Sequence, residues 1–188
     1  MASATGSQQV HSTLPAGTWS VDPVHSSVEF QVRNMGIVWV KGVFTDFTGT
    51  LESTGEPGGV RASGTVEAAS VDTHSEQRDQ HLRGADFFDV ENHPQITFES
   101  TRIEPNADGL RVLGNLTIKG ITREVQLDAK VQGTVDDPWG NERVGVEATG
   151  TLNRREFDLN WDVRTPGGAQ LASDDVRLIL HLGAVKSA

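Results

Sequence analysis

Apolar and polar residues alternate singly along most of the chain. In SVEFQVR (27–33), Val28, Phe30 and Val32 fall on one side and Glu29, Gln31 and Arg33 on the other. TREVQLDAKVQGTV (122–135) keeps the rhythm longer, with Val125, Leu127, Ala129, Val131, Gly133 and Val135 set against charged and polar neighbours. LRVLGNLTIK, RVGVEATGTLN and DVRLILHLG repeat it. Successive side chains of a strand point to opposite faces, so a period of two means one dry face and one wet face. That is the signature of an antiparallel sheet rather than a buried parallel one.

Turn residues punctuate these runs at Gly58-Gly59, Asp108-Gly109, Lys119-Gly120 and DDPWGN (136–141). The spacing predicts about eight strands, near 18–33, 38–52, 59–71, 94–104, 109–119, 121–135, 142–153 and 174–183. Several exceed the common five or six residues, as the tilted strands of a closed barrel often do. One short helix is expected around Ser75–Arg83, capped by Asp72 or Thr73. The fold class is therefore all-β, a closed antiparallel barrel with one helical excursion near 72–93. A single domain is expected over 17–188, behind a disordered polar tail at 1–16.

The apolar faces are notable for small residues. Val60, Ala62, Gly64, Val66 and Ala68 form one; Leu110, Val112, Gly114, Leu116 and Ile118 another; Val144, Val146, Ala148, Gly150 and Leu152 a third. Glycine weakens a strand, so its repeated use has a reason. Either it lets strands coil at barrel corners, or it leaves space inside a barrel just wide enough for one small ligand. The excursion ends on Phe87 and Phe88 between Asp86 and Asp89, in a chain with 7 Phe and no Tyr. Two readings are open: the pair packs over a barrel opening, or it anchors the helix to the outside of the sheet.

Composition narrows the function. The net charge of −10, from 16 Lys+Arg and 26 Asp+Glu, repels phosphate backbones, so no nucleic-acid partner is expected. No stretch approaches the roughly 18 apolar residues of a membrane span, so no stable membrane insertion is expected either. There is no cysteine, which removes disulfides and thiolate chemistry. The N-terminus has neither a basic nor an apolar signal region, and as written the chain reads as cytoplasmic.

Several blocks in order resemble the YceI-like family: WSVDPVHSSVEFQVRNMGIVWVKGVFTDFTGTL, SVDTHSEQRDQHLRGADFFDVENHPQITFEST, GNLTIKGITREVQL and VRLILHL. The resemblance runs from about Gly17 to Lys186. It implies a lipocalin-like barrel with an elongated apolar cavity. It also implies a long isoprenoid or related amphiphilic lipid, a polyprenyl phosphate or an isoprenoid quinone, held without catalysis and without a cofactor. Many relatives are periplasmic or secreted, and their habit of pairing makes a homodimer a candidate assembly.

On this reading the cavity lining comprises Phe30, Val32, Phe44, Phe47, Phe87, Phe88, Phe98, Gly114, Leu116, Ile118 and Leu178. The polar mouth draws on His25, Arg33, Lys41, His81 and Arg83, with Asn34 beside them. Arginine and lysine suit a phosphate, and histidine can serve near neutral pH. The rival is a metal-assisted hydrolase using His74, His81 and Asp79, which must converge on one point. Two histidines seven apart on a helix are separated by about 10 Å along its axis, which opposes that convergence. No G-x-S-x-G, H-E-x-x-H or phosphate-loop motif occurs.

Overall fold

The computed structural model describes residues 13–188, in which one antiparallel sheet carries 11 strands. They are β1 (Gly17–Val21), β2 (Ser27–Asn34), β3 (Val38–Phe44), β4 (Phe47–Ser53), β5 (Val60–Glu67), β6 (Val71–Asp72), β7 (Gln95–Asn106), β8 (Gly109–Ile118), β9 (Ile121–Asp136), β10 (Glu142–Asn153) and β11 (Asp175–Lys186). The single α-helix among the described residues is α1 (Glu76–Arg83). Strands β1, β4, β5, β7, β8, β9, β10 and β11 follow one another around a ring, and β1 pairing with β11 closes it.

The three remaining strands continue members of that ring. Strand β2 lies on the same edge of β11 as β1, against Val176–His181 where β1 meets Ala184–Lys186. The run predicted as one strand over 18–33 is thus a strand with a break. Pro23 has no N–H to give the ladder, and the Asp22 carboxylate accepts from Val24 N at 3.0 Å, winding a 3-10 turn there. Strands β3 and β4 are separated by Thr45 and Asp46, and β5 and β6 by a 3-10 turn at Ala68–Ser70. These two breaks bond each other: Thr45 N donates to Ser70 O at 3.2 Å, and Asp46 N to Ser70 Oγ at 3.1 Å. The three breaks lie side by side, where β2, β3 and β6 take over from β1, β4 and β5.

The end away from β2, β3 and β6 is plugged. Trp19 is wholly buried, donates Nε1–H to Pro15 O at 3.2 Å, and has Lys186 Nζ 5.3 Å above its ring. Leu14 is 2 % exposed and packs with Trp19, Leu51, Val60 and Ile103. The expected tail boundary at 16 is therefore too late: Leu14 belongs to the core, and Ser53 Oγ donates to its carbonyl at 2.7 Å. The rest of the expected tail, 1–12, lies outside the described residues.

At the end that carries β2, β3 and β6, two segments lie across the opening. The first is 73–94 with α1. Its cap is Ser75, whose Oγ accepts from Arg78 N at 3.4 Å, rather than Asp72 or Thr73. Thr73 instead tethers the helix from beneath, where its N–H and hydroxyl both donate to the buried Asp79, at 2.9 and 2.6 Å. The second cover is 154–174, which the alternation leaves unassigned. It is held by Arg154, only 3 % exposed, which donates to the carbonyls of Leu159, Ala172 and Ser173 and lies 3.2 Å from Asp174. Burial pulls the Arg154 pKa below its ordinary value, and the Asp174 charge opposes this.

Candidate binding cavity

The inward faces of the ring enclose a cavity of about 710 Å³. Its walls follow the alternation: Leu110, Val112, Leu116 and Ile118 on β8, Val125, Leu127, Ala129 and Val131 on β9, and Val176, Leu178, Leu180 and Leu182 on β11. On β8 these side chains are fully buried, whereas on β11 they are only half-buried. An inward leucine in a filled core touches neighbours on all sides. On β11 it borders open space instead. The hollow alternative of the two offered by the small residues is the one present.

The aromatic residues shape this space. Phe30 and Phe44 have ring centroids 5.6 Å apart, and Phe88 meets Phe44 edge-on at 5.6 Å. These three, with Val32, Phe47 and Phe98, border the cavity. Gly114 does not, contrary to expectation. A methyl group at Gly114 would clash with the edge of the Phe98 ring and with the Glu99 carbonyl. Gly42 stands in the same relation to the Phe30 ring. These glycines seat aromatic rings, and the rings rather than the glycines face the void.

Phe87 and Phe88 divide the work of the covering segment. Phe88 turns inward onto Phe44, and Leu82 O accepts from its N–H at 2.9 Å. Phe87 packs between the two covers, 5.1 Å from the His81 ring and 5.5 Å from Trp161. His81 and Trp161 are themselves 5.2 Å apart. The covers thus meet through three rings, with no backbone ladder between them. The packing reading of the Phe pair over the opening is the one the geometry supports.

The polar residues sort by position. Arg33 and His81 border the cavity, as do Asn34, Arg78 and Arg154. Among the described residues no aspartate or glutamate borders it, in a chain with 26 of them. Its ionisable neighbours are Arg33, Arg78, His81 and Arg154. Arg33 contributes from the rim, since its guanidinium stacks on Trp39 at 4.4 Å on the outer face. Arg78 donates to the Thr73 hydroxyl and carbonyl, both at 2.7 Å. His81 Nε2 lies 2.9 Å from Asp86.

Three expected mouth residues lie elsewhere. His25 sits in the Asp22–Ser26 break and bonds Asp22 at 2.7 Å. Lys41 is on the outward face of β3 and exposed. Arg83 fastens α1 to the sheet, donating to Ala69 O at 2.9 Å and Val71 O at 3.2 Å. Their sequence neighbours pointed to a barrel end, but alternation puts Lys41 on the wrong face and backbone carbonyls claim Arg83. Arg78, Arg154 and Trp161 went unnoticed in the sequence. Arg78 had a signal, one helical turn before Leu82 on the covering helix. Arg154 and Trp161 had none, because the segment that carries them shows no periodicity.

His74, Asp79 and His81 do not converge. His74 precedes α1 with φ at 61°, and Thr73 occupies the Asp79 carboxylate. Among the described residues no three His, Asp or Glu groups gather in a way that could hold a metal ion.

The sequence profile of the YceI-like domain matches residues 19–184. The chain belongs to the YceI-like family. A UPF0312 protein of Pectobacterium atrosepticum is 40% identical to it over 163 residues, covering 86% of this chain and 82% of the relative. The YceI protein of Campylobacter jejuni shares the fold with a TM-score of 0.71 and 28% identity, over 81% of this chain and 88% of that one. A polyisoprenoid-binding domain from Saccharophagus degradans, implicated in plant cell wall breakdown, aligns with a TM-score of 0.67 at 15% identity. It covers 90% of this YceI-like chain and 98% of its own, and the likeness is one of fold.

Proposed function

We propose that this YceI-like barrel is a non-catalytic binding protein for a long isoprenoid-type amphiphile, such as a polyprenyl phosphate or an isoprenoid quinone, which it transports, stores or sequesters. The observation that carries the reading is the cavity wall. It is predominantly apolar, free of carboxylates, and bordered by ionisable groups only at the covered end. The apolar tail would lie between β8 and β11 and the polar end beside Arg78, His81 and Arg154. A volume of about 710 Å³ suits a single guest molecule. Burying a methylene contributes about 0.8 kcal/mol, so a five-carbon unit contributes about 4 kcal/mol before the cost of ordering the chain. Cationic and neutral donors at a cavity that no carboxylate borders favour an anionic or carbonyl-bearing head group. The name of the Saccharophagus domain agrees with this class of ligand.

The test is organic extraction of protein purified without detergent, followed by mass spectrometry. A prenyl lipid stoichiometric with the chain is expected, and Leu178→Trp, which puts bulk into the cavity, should lower it at unchanged circular dichroism. Protein that yields no lipid and takes up none of an added polyprenyl phosphate would refute the reading.

A further inference from the structure

We propose that the tip of the β2–β3 hairpin is a membrane-docking surface, which sets the covered end of the barrel at the boundary between head groups and acyl chains of a bilayer. The use of such docking, passage of cargo between bilayer and cavity without crossing water, rests on the lipid-binding function proposed above; the docking itself does not.

Four large apolar residues stand exposed at this tip. Ile37 is 72% exposed, Val38 52%, Trp39 40% and Met35 39%. Val163 on the neighbouring cover is exposed as well, and is tied to the hairpin through Leu171: Leu171 N donates to Val163 O, and Asn34 Nδ2 to Leu171 O, both at 2.9 Å. Scattered exposed apolar residues are ordinary, but a contiguous set marks an interaction site.

The turn itself is built at a cost. Met35 has φ 53° and Gly36 φ 75°, and Ile37 N donates to Asn34 O at 3.1 Å, a two-residue turn with both central residues left-handed. Asn, Asp or Gly ordinarily takes the first central place, because other residues meet steric conflict there. Here a methionine takes it. An asparagine would make the same turn with less strain and better solubility, so folding does not account for the choice. A flexible, polarizable side chain presented outward accounts for it.

The charges fit a lipid surface. From Phe30 to Thr45 the chain carries Arg33 and Lys41 and no carboxylate, although the whole molecule is at −10. Behind the tip, Trp39 is held between two guanidiniums, Arg33 at 4.4 Å and Arg177 at 4.3 Å from its ring. Two of the four acidic residues of the adjoining cover are matched: Asp162 lies 3.2 Å from Arg155 and 3.1 Å from Arg164, and Asp174 lies 2.7 Å from Arg155. Strands rise about 3.3 Å per residue, so Ile37 leads Trp39 by roughly 7 Å. An apolar tip followed by a tryptophan and arginines is the order of groups met on passing from acyl chains to head groups. The insertion is shallow; no helix among the described residues is long and apolar enough to cross a membrane.

The tip is also continuous with the opening. Arg33 and Asn34 border the cavity, and Ser173 N donates to Arg33 O at 3.0 Å, binding the cover to the hairpin. Seating the tip therefore seats the mouth. The opposite end offers a contrast: Trp139, Val135 and Val24 are exposed there too, yet they stand among Asp22, Asp136 and Asp137 and far from the opening.

Sedimentation of the full chain with phosphatidylethanolamine–phosphatidylglycerol vesicles containing no isoprenoid lipid tests the proposal. The wild type should partition onto the vesicles, Ile37→Asp should lower that partition about tenfold or more, and Trp139→Ser should leave it unchanged. Met35→Asn, which relaxes the turn, should weaken binding without loss of thermal stability. Absence of wild-type binding at low salt, or equal loss in Trp139→Ser, overturns the proposal. So does a dimer that Ile37→Asp dissociates in a chain that ignores vesicles, since the surface then belongs to a second copy. Because the vesicles carry no cargo, a chain that yields lipid but ignores them overturns docking alone. A chain that binds them and yields no lipid supports docking and overturns the binding function alone.

Discussion

The two ends of the barrel are closed by different physics. At the plugged end, Trp19 and Leu14 fill the bore, and outside them Arg143 joins Asp22 at 2.9 Å to Asp137 at 2.7 Å across two loops. Asp137 also accepts from Trp139 N, Asn141 N and Asn141 Nδ2, so the 136–141 turn is over-determined. At the covered end the two covers meet through the rings of His81, Phe87 and Trp161. The covers touch each other through aromatic rings, whereas a seated tryptophan and a bonded ion network hold the plugged end. On the lipid-binding function proposed above, one end has to hold and the other to yield, and the contrast assigns these roles to the plugged and covered ends.

That contrast can be tested by substitution. The largest effect is expected for Trp19→Ala, which removes the largest fully buried side chain and should cost about 3–5 kcal/mol in urea denaturation, as one cooperative transition. Arg154→Ala should cost about 3 kcal/mol by leaving the carbonyls of Leu159, Ala172 and Ser173 without their donor. Its mark should be local: hydrogen exchange in 154–174 and in 73–94 rises while β8 and β9 stay protected. Equal exchange at both ends in either variant would erase the difference between the two ends.

The smallest effect depends on pH. Hydrogen bonds from His25 and Arg143 hold Asp22 at a pKa of about 2, below its ordinary 3.8, and Arg143 holds Asp137 lower still. A depressed carboxylate stabilises the fold above its unfolded pKa and loses that contribution as pH falls through the folded value. Arg143→Ala should therefore lower the urea midpoint at pH 7, with the difference from wild type shrinking between about pH 4 and pH 2. A difference that persists unchanged at pH 2 would assign Arg143 a packing role instead.

The inward and outward faces of β2, β8, β9 and β11 were legible because a period of two leaves each residue one choice of side. That is why Phe30, Val32, Leu116, Ile118 and Leu178 could be placed from the alternation and why Lys41 could have been excluded by it. Gly114 was misread because a small residue leaves room without saying who occupies it; the occupant is the Phe98 ring from the next strand. The cover 154–174 was illegible for a different reason. Its order comes from one buried arginine collecting carbonyls far along the chain, and no local pattern announces such a donor.

By itself, then, the chain's alternation and turn residues determined an eight-stranded antiparallel ring with one dry face, because strand geometry couples each residue's face to its place in the sequence. Tertiary structure alone decided that the ring is hollow, which end is sealed, and which cations border the opening. Those outcomes depend on ring packing across strands and on hydrogen bonds between segments distant in sequence, where local periodicity carries no information.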